Sequence, residues 1–200
     1  CMPDQKAYRQ TPPFWKRLAA RRLSPRQWAV WGAALAVLIL AEPDVWTFIV
    51  GCVFVAVGLA LRAWTFGHLE KNHRLATTGP YAHSRNPAYL GSLAILVGIA
   101  IAAGNNDGVL GIAMWVAGAI GIGVFFLGYL PRKFSREHAR MAEIFPDDAP
   151  RHAAHVPAFW PRLTPWASGD TQRFSLTRLR ANHEIVWPAA CFLGLAAMWI

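Results

Sequence analysis

The densest chemical signal in the chain is one polar stretch, Leu75-Ala76-Thr77-Thr78-Gly79-Pro80-Tyr81-Ala82-His83-Ser84-Arg85-Asn86-Pro87-Ala88-Tyr89-Leu90-Gly91, which runs from a loop directly into an apolar segment. Gly79-Pro80 makes a turn. Asn86-Pro87 starts a helix with Pro at its first position, where the missing N–H leaves nothing unpaired. The helix end opens beside Arg85, with free backbone donors and a positive dipole end, and such an end attracts a carboxylate or another anion. By composition alone, a capped helix with an ordinary basic loop residue would account for the same pattern. A second stretch, residues 135–145, reads as a charged amphipathic helix in which Glu137 shares a face with Arg140 and with Met141. Val156-Pro157-Ala158-Phe159-Trp160-Pro161 then forms an extended strip, too rich in Pro for regular helix and suited to wall a cavity.

These residues must be positioned by an unusually apolar chain. Of its 200 residues, 54% are hydrophobic and 16% charged, with ten Trp, which excludes intrinsic disorder. Five apolar runs stand out, Trp28–Ala41, Val45–Leu61, Tyr89–Ala103, Val109–Leu130 and Ile185–Ile200. A spanning helix wants about 20 apolar residues; Val109–Leu130 meets this, Val45–Leu61 does if Arg62 snorkels, and the others must tilt or borrow flanking residues. Glu42-Pro43-Asp44 and Gly104-Asn105-Asn106-Asp107-Gly108 are compact turns, so the runs read as two helical hairpins and a fifth helix. The expected fold is an all-α integral membrane bundle of about five transmembrane helices. It divides into a basic N-terminal segment, residues 1–27, a membrane core, 28–163, and a linker with a last helix, 164–200.

Charge placement sets the expected orientation. All 20 Lys and Arg fall in residues 1–27, 62–88 and 131–184, whereas the hairpin tips carry Glu42, Asp44 and Asp107 and no basic residue. By the positive-inside rule the N-terminus and both large polar segments are cytoplasmic, in a multi-pass protein of a bacterial inner membrane. Trp28, Trp31, Trp46, Trp64, Trp160, Trp166, Trp187 and Trp199 lie near run ends, as an aromatic belt requires. A nucleic-acid partner does not fit the net charge of +9, because its basic residues would not need to skip alternate loops. Lys16, Arg17, Arg21, Arg22 and Arg26 with Phe14, Trp15 and Leu18 read as a surface helix on anionic lipid, with a solvated basic tail as the alternative. No cleaved signal peptide is expected ahead of the first run, and Cys1 reads as a processing artefact. Cys1, Cys52 and Cys191 lie too far apart for a disulfide framework. His68-Leu69-Glu70-Lys71-Asn72-His73 is not HExxH, and no metal is expected there, nor at His152 and His155.

The order of two hairpins, a Gly-Pro-Tyr…Arg-Asn-Pro-x-Tyr-Leu-Gly loop, a helix extension containing Glu and a Val-Pro…Pro strip resembles the isoprenylcysteine carboxyl methyltransferase and phospholipid methyltransferase superfamily of integral membrane enzymes, over about residues 45–163. The resemblance implies S-adenosylmethionine as cofactor, bound by cytoplasmic loops without a Rossmann domain. The nearest approach to a dinucleotide fingerprint here, Gly118 to Gly123, lies inside an apolar run and reads as close helix packing. It further implies a cofactor pocket of Gly79, Pro80, Tyr81, Arg85, Asn86, Pro87, Tyr89, Leu90 and Gly91, completed by Glu137. With a carboxylate acceptor, Arg85 or Arg140 would orient it; with an amine or thiol, His83 or Glu137 would take the proton.

The chain departs from the family pattern downstream, with Glu137-His138 where members often have Glu-Glu, and Phe145-Pro146, Ala149 and His152 where they have Phe-Gly and two tyrosines. The expected partner is a membrane lipid or lipophilic small molecule. A small-thiol S-methyltransferase and a non-catalytic scaffold on the same fold are the rival readings. A transporter is disfavoured because no run carries a central ionisable residue.

Overall fold

The computed structural model describes residues 25–199, so the surface helix expected ahead of Pro25, Cys1 and the end of the last run at Ile200 lie outside it. Those residues form helices and connecting turns, with no strand among them. Apolar helices stand at all five runs: α1 (Pro25–Leu40), α2 (Val45–His68), α3 (Pro87–Ala102), α4 (Val109–Gly123) and, near the C-terminus, α8 (Val186–Ala197). Between α4 and α8 lie α5 (Leu130–Ile144), α6 (Asp148–His155) and α7 (Leu176–Ala181).

Among the described residues two helices are long and apolar enough to cross a membrane, α2 with 24 residues and the continuous helix Val109–Ile144 with 36. At about 1.5 Å per residue α2 exceeds a hydrocarbon core of about 30 Å, while the 16 residues of α3 and 12 of α8 do not. The surface fits lipid as solvent: Trp46, Val109 and Leu127 are exposed, whereas Thr65 and Ser84 are fully buried. Asp44 caps α2, its carboxylate accepting from Trp46 N at 2.9 Å.

The core of the bundle is the antiparallel pair α2 and α3. A Cβ on Gly51 would lie 2.5 Å from the Gly98 carbonyl oxygen, and one on Gly58 would lie 2.6 Å from that of Gly91, so two glycine pairs let the backbones touch. The hairpin tips meet at the opposite end from the motif loop, where Asn105 Nδ2 donates to the Glu42 carbonyl at 2.7 Å. In the long helix only Gly118 of the expected packing glycines works as such, against Ala100; Gly121 and Gly123 face open space. The helix presents those two positions away from the other described helices, which overturns the packing expected for them.

Pro131 would break this long helix, because it lacks an N–H and its ring crowds the preceding turn. Residues Val124–Tyr129 instead form one widened π-helical turn just before it, and the helix continues. Arg62 does not snorkel. Its side chain is 12% exposed, and the guanidinium pairs with Glu184, 8% exposed, at 2.8 Å, while also donating to Ser92 Oγ at 2.7 Å and lying 4.9 Å over the Trp187 ring. Asn182 Nδ2 donates to the Phe66 and Leu69 carbonyls, closing the α2 C-terminus with the chain that leads into α8.

Candidate functional site

The motif stretch folds as a 3-10 turn, Gly79–Ala82, a short linker and the first turn of α3. Gly79 has φ 58°, the left-handed region, and a Cβ there would lie 2.7 Å from His68 Nε2, so both backbone and space require glycine. Asn86 and Pro87 are buried, and no side chain caps the start of α3. Gly91 abuts the Gly58 carbonyl and Arg62 Cγ of α2, which gives it a packing task.

The Pro-aromatic strip and the residues just after it, to Trp166, clamp this loop. Arg85 N donates to the Pro157 carbonyl at 2.9 Å, Arg162 N to that of His83 at 3.0 Å, and Trp166 N to that of Ala82 at 3.0 Å. Side chains add to the clamp: Ser84 Oγ donates to the Phe159 carbonyl at 2.8 Å, Asn86 Nδ2 to that of Ala158 at 2.8 Å, and the His83 ring to that of Arg162 at 2.8 Å. His152 Nε2 donates to the Tyr81 carbonyl at 2.9 Å from α6. His83 is thereby held as a clamp residue, its ring committed to a backbone carbonyl.

Helix α5 supplies the other side. Tyr89 OH donates to Glu137 Oε2 at 3.3 Å, and Lys133 Nζ lies 3.7 Å from the same oxygen. Asn86 Nδ2 lies 3.4 Å from His138 Nε2. Arg140 donates instead to Asn72 Oδ1 at 2.6 Å, tying α5 to the loop that follows α2. Thus Arg85, Asn86, Tyr89 and Glu137 come together around the start of α3, while His83 and Arg140 are engaged with the strip and with Asn72.

Polar atoms at this locus are incompletely satisfied. Arg85 Nε and Thr78 Oγ1 are buried without a hydrogen-bond partner, which costs free energy unless a ligand pairs them. Burial pulls the Arg85 guanidinium below its ordinary value. Burial first, then the negative charges of Glu137 and Glu184, push the Tyr81 hydroxyl above its usual range, so it stays a neutral phenol. An anion beside Arg85 and a cationic or hydroxylic group beside Glu137 is the complement this arrangement calls for.

An aromatic wall adjoins it. Tyr89 meets the Phe134 ring edge-on at 5.6 Å, Phe134 lies 5.9 Å from Phe159, Phe126 is 5.2 Å from Phe159, and Phe125 stacks on Tyr129 at 5.6 Å. Phe125, Phe126 and Tyr129 come from the π turn and were not foreseen from sequence, nor were Phe134 and His138. The signal that could have found them is Pro131 inside an otherwise helical pattern, since widened turns recur at functional sites. Among the described residues no three His, Cys, Asp or Glu side chains gather as metal ligands would.

A family model described as phospholipid methyltransferase matches residues 46–145, which take in α2, the motif loop, α3, α4 and α5. The cobalt-zinc-cadmium resistance protein CzcN of Cupriavidus metallidurans is 28% identical over 151 residues, covering 74% of this chain. The chain spans 63% of that relative's length. No solved structure matches the chain.

Proposed function

We propose, from the premise that this chain belongs to the phospholipid methyltransferase family, that it transfers a methyl group from S-adenosylmethionine to a lipid-soluble or amphiphilic acceptor. The reaction takes place at the cytoplasmic face of a bacterial inner membrane, with the N-terminus on that side, as the distribution of Lys and Arg supports. The observation that carries the reading is the buried, unpartnered Arg85 Nε beside the uncapped start of α3, which fits the carboxylate of an amino-acid cofactor.

When bound, S-adenosylmethionine supplies an electrophilic methyl group on a sulfonium centre. Arg85 and the first backbone donors of α3 would hold its carboxylate, and Glu137, oriented by Tyr89, would hold its amine or ribose hydroxyls. Tyr81 and Tyr89 would face the adenine or the sulfonium as aromatic walls. Gly79, Pro80, Asn86, Pro87, Leu90 and Gly91 shape the backbone between these groups, and Arg140, one helical turn beyond Glu137, ties α5 to Asn72. The strip at 156–161 would exclude water, and alignment in a dry site supplies much of the rate for an in-line displacement.

Methyl-labelled S-adenosylmethionine added to membranes containing the protein tests this. Label is expected in the lipid extract with the wild type and is expected to fall at least about tenfold with Glu137→Gln. Label confined to small thiols would replace the acceptor in this reading with a thiol. No label in any fraction, from protein that is folded in lipid, would leave the scaffold reading instead.

A further inference from the structure

We propose that His138 accepts the proton shed by the methyl acceptor, so that this chain acts on an amine or thiol rather than on a carboxylate. The inference rests on the methyltransferase reading above. Asn86 fixes the geometry. Its Nδ2 donates to the Ala158 carbonyl at 2.8 Å, and a carbonyl can only accept, so the amide nitrogen and not the oxygen faces His138. That nitrogen lies 3.4 Å from His138 Nε2, which must therefore carry the lone pair, with the ring proton on Nδ1. The contact is long, so an incoming proton displaces it while Asn86 keeps its shorter bond to Ala158. Phe134 stacks on the ring at 6.2 Å and 20°, which holds its plane.

The charged surroundings favour a neutral imidazole. Arg85 acts on His138 from the motif loop and Glu137 from its own helix, Tyr89 of α3 and Lys133 reach Glu137, and residues 156–161 bring no ionisable side chain. Burial and then Arg85 lower the His138 pKa, with Glu137 opposing them. The two other histidines of the site, His83 and His152, are bound to backbone carbonyls of the clamp.

The step balances without a further reactant. The acceptor heteroatom bonds the methyl carbon, the carbon–sulfur bond breaks with its pair going to sulfur, and the heteroatom's proton passes to Nε2, from which water later removes it. A carboxylate carries no proton to give.

Protein in lipid nanodiscs is given methyl-labelled S-adenosylmethionine and, separately, phosphatidylethanolamine vesicles, dodecanethiol or palmitate. Label is expected in the amine or the thiol. His138→Gln, which can still accept from Asn86, is expected to bind S-adenosylmethionine as the wild type does, to turn over about 100-fold more slowly and to lose the fall of kcat/KM on the acid side. His138→Glu is expected to restore part of the turnover with that fall moved to lower pH, an outcome no packing role produces and one that decides the matter if the Gln variant does not fold. Label in palmitate alone, label in none of the three with S-adenosylmethionine bound, or a Gln variant with wild-type turnover and pH profile would overturn the proposal. A folded wild type that binds no S-adenosylmethionine overturns the parent reading and this one with it.

Discussion

Two polar junctions hold the motif-loop end of this bundle, and they differ in what they leave unpaired. At the first, Arg62 of α2 meets Glu184 in a bidentate pair, reaches Ser92 and lies over Trp187. Its donors are spent within the protein. At the second, the strip at 156–166 binds the motif loop through backbone carbonyls, yet Arg85 Nε stays buried without a partner. A buried arginine whose donors are met is a structural tie, and a buried Nε without a partner is the opening that the proposed cofactor would fill. The two arginines are equally basic in sequence. Only their partners separate them.

The largest effect should come from breaking the tie. Burial lifts the Glu184 carboxyl above its ordinary value even though Arg62, and further off Lys71, pull it down, so the pair holds its charge at a cost. Glu184→Ala would strand the Arg62 guanidinium and is expected to cost about 3–5 kcal/mol. Chemical denaturation in mixed micelles reads it, and the double variant Arg62→Met with Glu184→Leu should recover most of the loss. A single Glu184→Ala variant as stable as the wild type would erase the contrast between the junctions.

Next comes the clamp. Ser84 is fully buried, donates to the Phe159 carbonyl and accepts from Asn86 N at 3.2 Å, so Ser84→Ala leaves two buried backbone groups short. A loss of about 1–3 kcal/mol is expected in the same denaturation assay. It should also weaken S-adenosylmethionine binding at the proposed site, whereas the Arg62 and Glu184 double variant should leave that binding intact.

The smallest effect is a slope with pH. Burial lowers the pKa of His152 below its ordinary 6.5, although its bond to the Tyr81 carbonyl works the other way and Arg85 adds to the lowering. Below 6.5 the unfolded chain therefore binds more protons at this position than the folded one, and stability falls as pH drops toward the folded value. The melting temperature of the wild type should decline over that window, and His152→Gln, which keeps a donor for Tyr81, should flatten the decline. An unchanged slope in the variant would remove His152 from the clamp's energetics.

Much of this arrangement was legible in local sequence. Gly79-Pro80 and Asn86-Pro87 fix backbone directions by themselves, so the turn and the start of α3 stand where composition put them. The five apolar runs likewise became helices, and the charged extension carrying Glu137 runs on past Pro131. What escaped is non-local. Bonds from Arg85 N and Arg162 N to distant carbonyls carry no side-chain signature, and nothing in residues 156–166 names the loop it will clamp. Arg62 was expected to snorkel because its partner lies far away in sequence, in a polar segment whose Glu184 looked like any other. His138 stood out only as a departure from a family pattern, and its stacking on Phe134 depends on the helix remaining unbroken through the π turn.

The contrast between the two arginines rests most directly on one binding experiment, the equilibrium titration of S-adenosylmethionine into nanodisc-embedded wild type, Arg85→Ala and the Arg62→Met, Glu184→Leu double variant. Binding by the wild type, an affinity at least about tenfold weaker in Arg85→Ala at unchanged melting temperature, and near-normal binding in the double variant are the expected results. Equal affinity in the wild type and Arg85→Ala, or no binding by a folded wild type, would contradict the account.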